Sequence, residues 1–180
     1  MRNIEVSQRI MVHECSHLQT LVTNLLSSTC SVSLTKVTMK QEYMLLQLTT
    51  TNITAAYPCC AVSSSSIHRR DQRSLTDLSW GTGTVRLQLR VRQFVYRNPH
   101  GERRIFTERL PALVAASARN TRRLITILRV VGMALGGKAG ARLAAHLRLP
   151  TSPATVLRLV RTSPVPYLPV LQAVGVDVWA

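Results

Sequence analysis

The sequence predicts an α+β protein in which a small β-rich module is followed by a helical module. In "TVRLQLRVRQFVY" apolar and polar residues alternate with a period of two, which is typical of a half-buried strand. After Pro111 the apolar period changes to 3.6, which is typical of amphipathic helices. We therefore expect a β-rich module over residues 34–106 and a helical module over residues 107–163.

The composition indicates an anionic partner. The 180 residues include 23 Lys+Arg against only 8 Asp+Glu, an excess that attracts polyanions and is unusual for a metabolic enzyme. The apolar fraction of 46% is large enough to form a core, so the charge need not mark a disordered tail. Nucleic acid is the leading partner that these numbers predict.

Cysteine usage and hydropathy predict a reduced, cytoplasmic protein associated with the nucleoid. The four cysteines, two of them adjacent, do not form a spaced disulfide framework, and "MRNIEVSQRIMVHECSHLQ" lacks an apolar signal region. The most apolar run, "LITILRVVGMALGG", contains Thr126 and Arg129 and is shorter than a bilayer-spanning helix. We expect no membrane insertion, and an anionic membrane surface stays open as an alternative partner.

The β-rich elements are predicted in chain order. Residues 1–33 are rich in Ser and Thr without a sustained period and form a poorly defined extension, and "LTKVTMKQEYMLLQLTT" then predicts a hairpin turning at Lys40 to Glu42. The polar stretch "SSSSIHRRDQRS" is predicted to be a loop. The strand that follows should pack one face and present arginines on the other. The packed face should hold Val85, Leu87, Leu89, Val91 and Val95, and the other face Arg86, Gln88, Arg90, Arg92 and Tyr96.

Three helical segments follow. The first should have an apolar stripe and end at the glycine pair of residues 136 and 137. The second should end at "RLP", and the third should begin at Ser152 as N-cap with Pro153 in the first turn. The stripe of the first consists of Leu124, Ile127, Leu128, Val131 and Leu135; the contacts of the second are Ala141, Ala144, Ala145 and Leu147; those of the third are Val156, Leu157 and Val160.

Two short helices joined by the tight "LRLPTS" connection match a helix-turn-helix. Side chains on the second of these helices are then candidates for a DNA groove, and basic residues on the preceding helices are candidates for phosphates. The alternative is a solvated face on an ordinary three-helix bundle. The groove candidates are Ser152, Thr155, Arg158 and Arg161, and the phosphate candidates are Arg122, Arg123, Lys138 and Arg142.

Several linked motifs resemble the ISL-three family of bacterial insertion-sequence transposases. They are "RSLTDLSW", "VRLQLRVRQF", "RNPHGERRIFTERLP", "LGGKAGARLAAHLRLPTSPATVLRLVR" and "AVGVDVWA", and the resemblance covers roughly residues 25–180. It implies an N-terminal zinc-ribbon-like module, a helix-turn-helix module and then an RNase H-like catalytic domain, of which only residues 164–180, a linker and first strand, would be present. It also implies a helix C-terminal glycine where this chain has Arg148, which costs about 1 kcal/mol if the residue adopts a positive φ.

The resemblance places zinc ligands at positions that this chain has largely changed. Tyr57 and Cys60 match the Cys-Pro-x-Cys half, while Tyr96 and Gly101 occupy the second cysteine pair around "NP". A structural zinc ion needs four N or S donors, so Cys60 is a vestigial ligand. We expect no zinc, although a regrouped site using Cys59, His68 and His100 is an alternative. Without zinc the β module is expected to be loose.

The resemblance also implies that Asp177 is the first of three catalytic carboxylates, and here it is vestigial because the other two would follow residue 180. Two-metal catalysis needs several converging carboxylates, so no enzymatic activity and no cofactor are expected. Glu102 and Glu108 are expected to form solvated ion pairs. Three functions stay open: a transposase-derived fragment binding duplex DNA such as insertion-sequence ends, a basic protein for RNA or membrane surfaces, and the DNA-binding subunit of a split transposase that recruits a separate catalytic chain. An intact transposase is a further candidate partner of the fragment.

Overall fold

The computed structural model describes residues 31–81, 83–97 and 104–163. The extension up to residue 30, His100, Gly101, Glu102 and Asp177 with its surrounding segment lie outside these residues. The fold is α+β, as predicted: a mixed five-stranded sheet is followed by two helices. The strands are β1 (Val32–Met39), β2 (Tyr43–Thr50), β3 (Ala55–Ala56), β4 (Ser63–Ser64), β5 (Ile67–Trp80), β6 (Gly83–Val95) and β7 (Ile105–Thr107); the helices are α1 (Arg122–His146) and α2 (Pro153–Arg161).

The main sheet has the order β1-β2-β6-β5, with β7 paired to the end of β6. The hairpin predicted at Lys40 to Glu42 is confirmed, because β1 and β2 pair antiparallel and Met39 lies opposite Met44. Strand β2 then pairs parallel with β6, and β5 and β6 form a long antiparallel hairpin. In β1 the register shifts between Leu34 and Lys36, and the intervening Thr35 hydroxyl donates to the Gln47 carbonyl at 3.0 Å.

One face of the sheet forms the main core. The alternation in β6 buries Val85, Leu87, Leu89 and Val91 as predicted. They pack against leucines of β2 and β5 and against the segment that follows β7. That segment contributes Leu110, Leu113 and Val114. Residues 110–114 therefore belong to the packing of the sheet rather than to the helices.

Two predictions for this region are wrong. The expected loop "SSSSIHRRDQRS" becomes strand from Ile67 onward, because β6 supplies a continuous antiparallel partner along it. The predicted burial pattern of β6 also fails after Val91, because Tyr57 and Phe106 form a second apolar cluster on the side of the strand that was predicted to carry arginines. As a result Phe94 is 0% exposed and Tyr96 is buried, while Val95 is only partly buried.

The first two of the three predicted helical segments form a single helix, α1, and the third is α2. Gly136 interrupts α1 with φ 71° and ψ −170°, a conformation that favours glycine, so α1 consists of two helical halves. Ser152 caps α2 by accepting from the Thr155 amide, and Pro153 lies in the first turn. Of the predicted apolar contacts, Leu124, Leu128, Ala141, Ala144 and Val156 are buried, Val131 and Val160 are partly buried, and Ile127, Leu135, Ala145, Leu147 and Leu157 are exposed.

Candidate nucleic-acid interface

Helix α2 packs closely on α1 through glycines. A Cβ on Gly132 would lie 2.7 Å from Val156 Cγ1 and from Val160 Cγ2, and one on Gly137 would lie 2.6 Å from Leu157 Cγ. These distances are far below van der Waals contact, so the two helices approach as closely as they do because both positions lack a side chain. The apolar side of α2 is therefore fixed against α1.

The opposite side of α2 carries the groove candidates. Thr155, Arg158 and Arg161 follow one another at three-residue spacing, which places them along one stripe of the helix, and both arginines are exposed. Ser152 is occupied by the cap: its Oγ lies 3.0 Å from Thr155 Oγ1 and accepts from the Thr155 amide at 3.2 Å. Two of the four groove candidates thus stabilise the start of α2, and the two arginines form no ion pair with another described residue.

The connection between α1 and α2 contains a left-handed residue at the position where the resemblance implies a glycine. Arg148 adopts φ 56°, and the Leu149 amide donates to the Ala144 carbonyl at 2.8 Å. Leu149 is buried against Leu124, Leu128 and Leu159. The turn is therefore held by an apolar anchor even though a residue with a side chain occupies its left-handed position.

The phosphate candidates divide into three groups. Lys138 and Arg142 are exposed and lie four residues apart on the second half of α1, hence on one face. Arg122 is exposed at the start of α1. Arg123 has another role, because its Nε donates to Asp77 Oδ1 at 2.7 Å and its Nη2 pairs with Asp77 Oδ2. The structure therefore assigns Arg123 to a structural ion pair and not to the phosphate-contacting set.

The Asp77 network attaches the helices to the sheet. Asp77 is 1% exposed and also accepts from Thr121 Oγ1 at 2.6 Å and from the Leu78 amide at 2.9 Å. Thr121 in turn caps α1, and its amide donates to the Thr76 carbonyl. An acidic residue on the apolar side of the "SLTDLSW" pattern was the sequence signal for this junction, and the sequence analysis did not use it.

Three of the four positions that the resemblance assigns to zinc ligands, Tyr57, Cys60 and Tyr96, meet in space beside an aromatic cluster, and the fourth, Gly101, lies outside the described residues. The rings of Tyr57 and Tyr96 stack with centroids 3.9 Å apart and planes inclined by 12°. Cys60 Sγ lies 2.9 Å from the Tyr96 hydroxyl, and Phe106 packs edge-on against Tyr57. Within residues 31–81, 83–97 and 104–163, no three His, Cys, Asp or Glu side chains gather as a metal site.

This cluster changes the expectation that the module is loose. Tyr57, Phe94, Tyr96 and Phe106 are all at most 6% exposed, and stacked or edge-on aromatic pairs contribute about 0.5–1.5 kcal/mol each beyond the burial of their area. The cluster thus supplies apolar packing where the resemblance implies metal ligation. His68 is exposed and belongs to no metal cluster among the described residues.

The carboxylates of the described chain are dispersed. Asp71 pairs with Arg69, Asp77 with Arg123 and Glu108 with Arg92. The expectation that Glu108 forms a solvated pair is wrong, since it is 6% exposed and also accepts from Thr50 Oγ1 at 2.7 Å. Each of these three acids is used in a local pair, so they do not converge as two-metal catalysis requires.

A cleft that the sequence analysis missed lies beside the aromatic cluster. It has a volume of about 770 Å³ and lies between the sheet and the segment that follows β7. Three of its lining residues are arginines: Arg73, Arg109 and Arg119. Arg73 Nη2 donates to the Ala118 carbonyl at 2.8 Å, so it holds the segment in place, while Arg109 and Arg119 are exposed.

Helix α1 is also long and apolar enough to cross a membrane by length and composition. Its most apolar window of 18 residues has a mean hydropathy of 1.4, and 28% of that window is buried. The prediction that the run from Leu124 is too short for a bilayer concerned that run alone, whereas α1 has 25 residues and is interrupted at Gly136. Val130 and Met133, 61% and 65% exposed, form part of its uncovered apolar side.

Comparisons with protein-family models, with curated proteins and with solved structures returned no match for this chain. The resemblance to insertion-sequence transposases therefore depends on the motifs quoted above.

Proposed function

We propose that this protein is a transposase-derived fragment that binds duplex DNA through its helical pair and does not cleave it. The observation that carries the proposal is the orientation of α2. Its apolar side, including Val156 and Leu159, is buried on a glycine-lined helix, and this leaves Arg158 and Arg161 along an exposed stripe. A net charge of +15 favours the same polyanionic ligand.

The aromatic cluster supports the transposase origin. Tyr57 and Cys60 lie on either side of a turn, and Tyr96 lies far from both in sequence. The three side chains nevertheless meet at one point, as the metal ligands of a zinc ribbon do. Between Tyr57 and Cys60 the chain makes a tight turn, in which the Ala61 amide donates to the Tyr57 carbonyl at 2.9 Å and Ala61 has φ 59°. A small turn that presents two side chains to one point is suited to metal ligation.

The DNA-binding proposal is tested with the full chain and a labelled synthetic duplex at several salt concentrations. The variant Arg158→Ala/Arg161→Ala should weaken binding, and each lost phosphate contact should reduce the slope of log K against log salt by about 0.9. If one of the arginines contacts a base edge, about 1–3 kcal/mol of preference at one base pair should disappear with it.

The matched control is Arg109→Ala/Arg119→Ala, which removes the same charge from the cleft beside the sheet. If the two double variants weaken binding equally, net charge explains the affinity and the helical interface is wrong. If neither binding nor its salt dependence changes in the α2 variant, the two helices are a plain bundle.

The proposed absence of cleavage is tested separately. The chain, incubated with a supercoiled plasmid carrying candidate element ends and Mg²⁺ or Mn²⁺, should leave the plasmid intact, because Asp77 and Glu108 are each neutralised by an arginine. Specific nicking that is lost in Asp177→Ala would show that a second chain completes the active site, as in the alternative of a split transposase.

A membrane surface is a second candidate partner, and the uncovered apolar side of α1 favours it. A basic protein with exposed apolar side chains on a helix can lie on an anionic bilayer. Flotation with vesicles of phosphatidylcholine and phosphatidylserine separates the two functions: the DNA proposal expects no flotation, and the membrane alternative expects flotation that Val130→Asp/Met133→Asp abolishes.

A further inference from the structure

The sheet has a second face, opposite the main core, whose central rows contain no buried residue. Residues that pair across a sheet point to the same side. The rows that include Leu46, Leu87 and Leu75 point into the core. The intervening rows point away from it. These rows, read from β2 through β6 to β5, are Leu45–Arg86–Thr76, Gln47–Gln88–Ser74 and Thr49–Arg90–Gln72, and we call them the open face.

The open face is polar and cationic. Arg86 and Arg90 are exposed and, four residues apart on one strand, lie about 13 Å apart at about 3.3 Å per residue. Lys36, opposite Gln47 on β1, extends the middle row, and the exposed Arg70 lies two residues before Gln72 on β5. Gln47 Nε2 donates to Gln88 Oε1 at 2.8 Å, so the amides form a fixed polar strip between the cations.

No described carboxylate lies within the three rows of the open face, and Glu108, in the next row, pairs with Arg92. Asp71 pairs with Val91 and Asp77 with Val85, and both valines point into the core. Glu108 is buried beside Thr50, while Glu42 lies in the β1–β2 turn beyond the ends of both strands. The positive charges of the open face are thus not neutralised by acidic neighbours within the rows, in contrast to Arg92 and Arg123.

The chemistry of the open face matches a phosphate backbone better than unpaired bases. Contacts to backbone phosphates come from Arg, Lys, Ser, Thr and Gln side chains, which are the residues present here. Recognition of single strands uses exposed aromatic faces. The three rows contain no aromatic side chain, and the ring of the neighbouring Tyr43 is occupied by Arg86, whose Cζ lies 4.4 Å from the ring centroid.

The open face is continuous with the start of the helices. Thr76 forms an isolated parallel bridge with Asn120, and the Thr76 amide donates to the Arg119 carbonyl at 2.8 Å. Arg122, an exposed phosphate candidate at the start of α1, follows two residues after Asn120. Arg122 therefore lies close in sequence to Asn120, which contacts Thr76, the β5 residue in the same row as Arg86.

We propose that the open face is a second binding surface for the phosphates of duplex DNA, centred on Arg86 and Arg90 and bordered by Lys36, Arg70 and Arg122. It shares its ligand with the proposed function, and its central residues lie on the sheet rather than on α2. The surface contributes affinity that depends on salt and not on base sequence, because side chains of this kind contact phosphates without reading base edges.

The test compares double variants of the full chain on a short synthetic duplex across a salt series. Arg86→Gln/Arg90→Gln should reduce the salt slope by about 1.8, corresponding to two phosphate contacts, and weaken binding on the order of tenfold. The variant Arg86→Lys/Arg90→Lys keeps the charge, so it should retain most of the salt slope and most of the affinity of the unchanged protein. The control Arg109→Gln/Arg119→Gln removes the same charge on the covered side of the sheet and should have a smaller effect.

Circular dichroism melts show whether each variant folds. If the glutamine variant unfolds early, Lys36→Gln/Arg70→Gln replaces it, because neither of these side chains stacks on Tyr43. An unchanged salt slope, or a loss equal to that of the control pair, overturns the proposal. A loss of affinity for single-stranded RNA with none for duplex DNA also overturns it.

The variant Arg158→Ala/Arg161→Ala distinguishes the two interfaces. If it leaves binding unchanged while Arg86→Gln/Arg90→Gln weakens it, the helical interface fails and the open face stands. The reverse result leaves the helical interface and removes the open face.

Discussion

Removing Arg123 should destabilise the protein far more than removing an arginine from a surface ion pair. The Asp77 side chain is 0% exposed, whereas that of Arg123 is 35% exposed. In Arg123→Met the carboxylate keeps its hydrogen bonds from Thr121 and Leu78 but loses its only ion-pair partner among the described residues. Breaking a buried pair in this way costs about 3–5 kcal/mol, and the partial exposure of Arg123 favours the lower end.

The reciprocal change gives a smaller effect. In Asp77→Asn the buried charge is removed together with the pair, and Arg123 can turn to solvent. The remaining loss is that of hydrogen bonds to a charged acceptor, about 1.5–3 kcal/mol. We therefore expect Arg123→Met to be the more destabilising variant, and the double variant to be less destabilised than the sum of the two.

Arg69 and Asp71 provide the matched control. Their side chains are 60% and 38% exposed, and the pair is separated by 3.2 Å. Arg69→Met should change stability by about 0–1 kcal/mol, as is usual for surface pairs. Urea unfolding followed by circular dichroism measures all four variants, provided that the slopes with denaturant agree. A loss below about 1 kcal/mol for Arg123→Met would refute the role of Asp77 as a buried charge.

Three further outcomes are expected. Gly132→Ala should destabilise the helical pair by about 1–3 kcal/mol through overpacking. The control Gly83→Ala should not be destabilised by overpacking, because its added Cβ would be 4.0 Å from the nearest atom. Thermal melts of both variants test this difference. Arg148→Gly should stabilise the protein by about 1 kcal/mol by relieving a positive φ, and an unchanged or lower melting temperature would contradict it. Metal analysis after dialysis should find no stoichiometric zinc, and a chelator should leave the melting temperature unchanged; zinc that disappears on changing Cys60 and His68 would restore a ribbon site.

The elements that could be predicted from the sequence are those whose side-chain pattern is contained in one short segment. The β1–β2 hairpin, the strand around Leu87 and Leu89, the break at Gly136 and the cap at Ser152 are each encoded within a few neighbouring residues. Strand β5 was missed because its first half is almost entirely polar and contains Asp71, a residue type that is depleted in strands. Its pairing partner β6 determines its conformation, and that information is not local.

The candidate site was predictable only in part for the same reason. Spacing placed Arg158 and Arg161 on one side of α2, and the structure confirms their exposure. Arg122 and Arg123 are adjacent in sequence, and no pattern in the sequence distinguishes their roles. In the folded protein Arg123 pairs with Asp77, whereas Arg122 is exposed. The open face required the register between β2 and β6, a parallel pairing that joins residues 41 positions apart, such as Gln47 and Gln88.

The register shift at Thr35 has a consequence for how this sheet behaves at high concentration. Among the described strands β1 lies at the edge of the sheet, and a flat edge is a template on which a second chain can add its own strand and begin to aggregate. The bulge interrupts the regular hydrogen-bonding edge near its middle, and Lys36 places a charge directly after it. At the opposite edge, the Arg119 carbonyl accepts the Thr76 amide of β5, and Arg69 and Arg70 charge the uncovered part. Both edges are thereby protected against strand addition, so the features that attract a polyanion also oppose amyloid-like self-association.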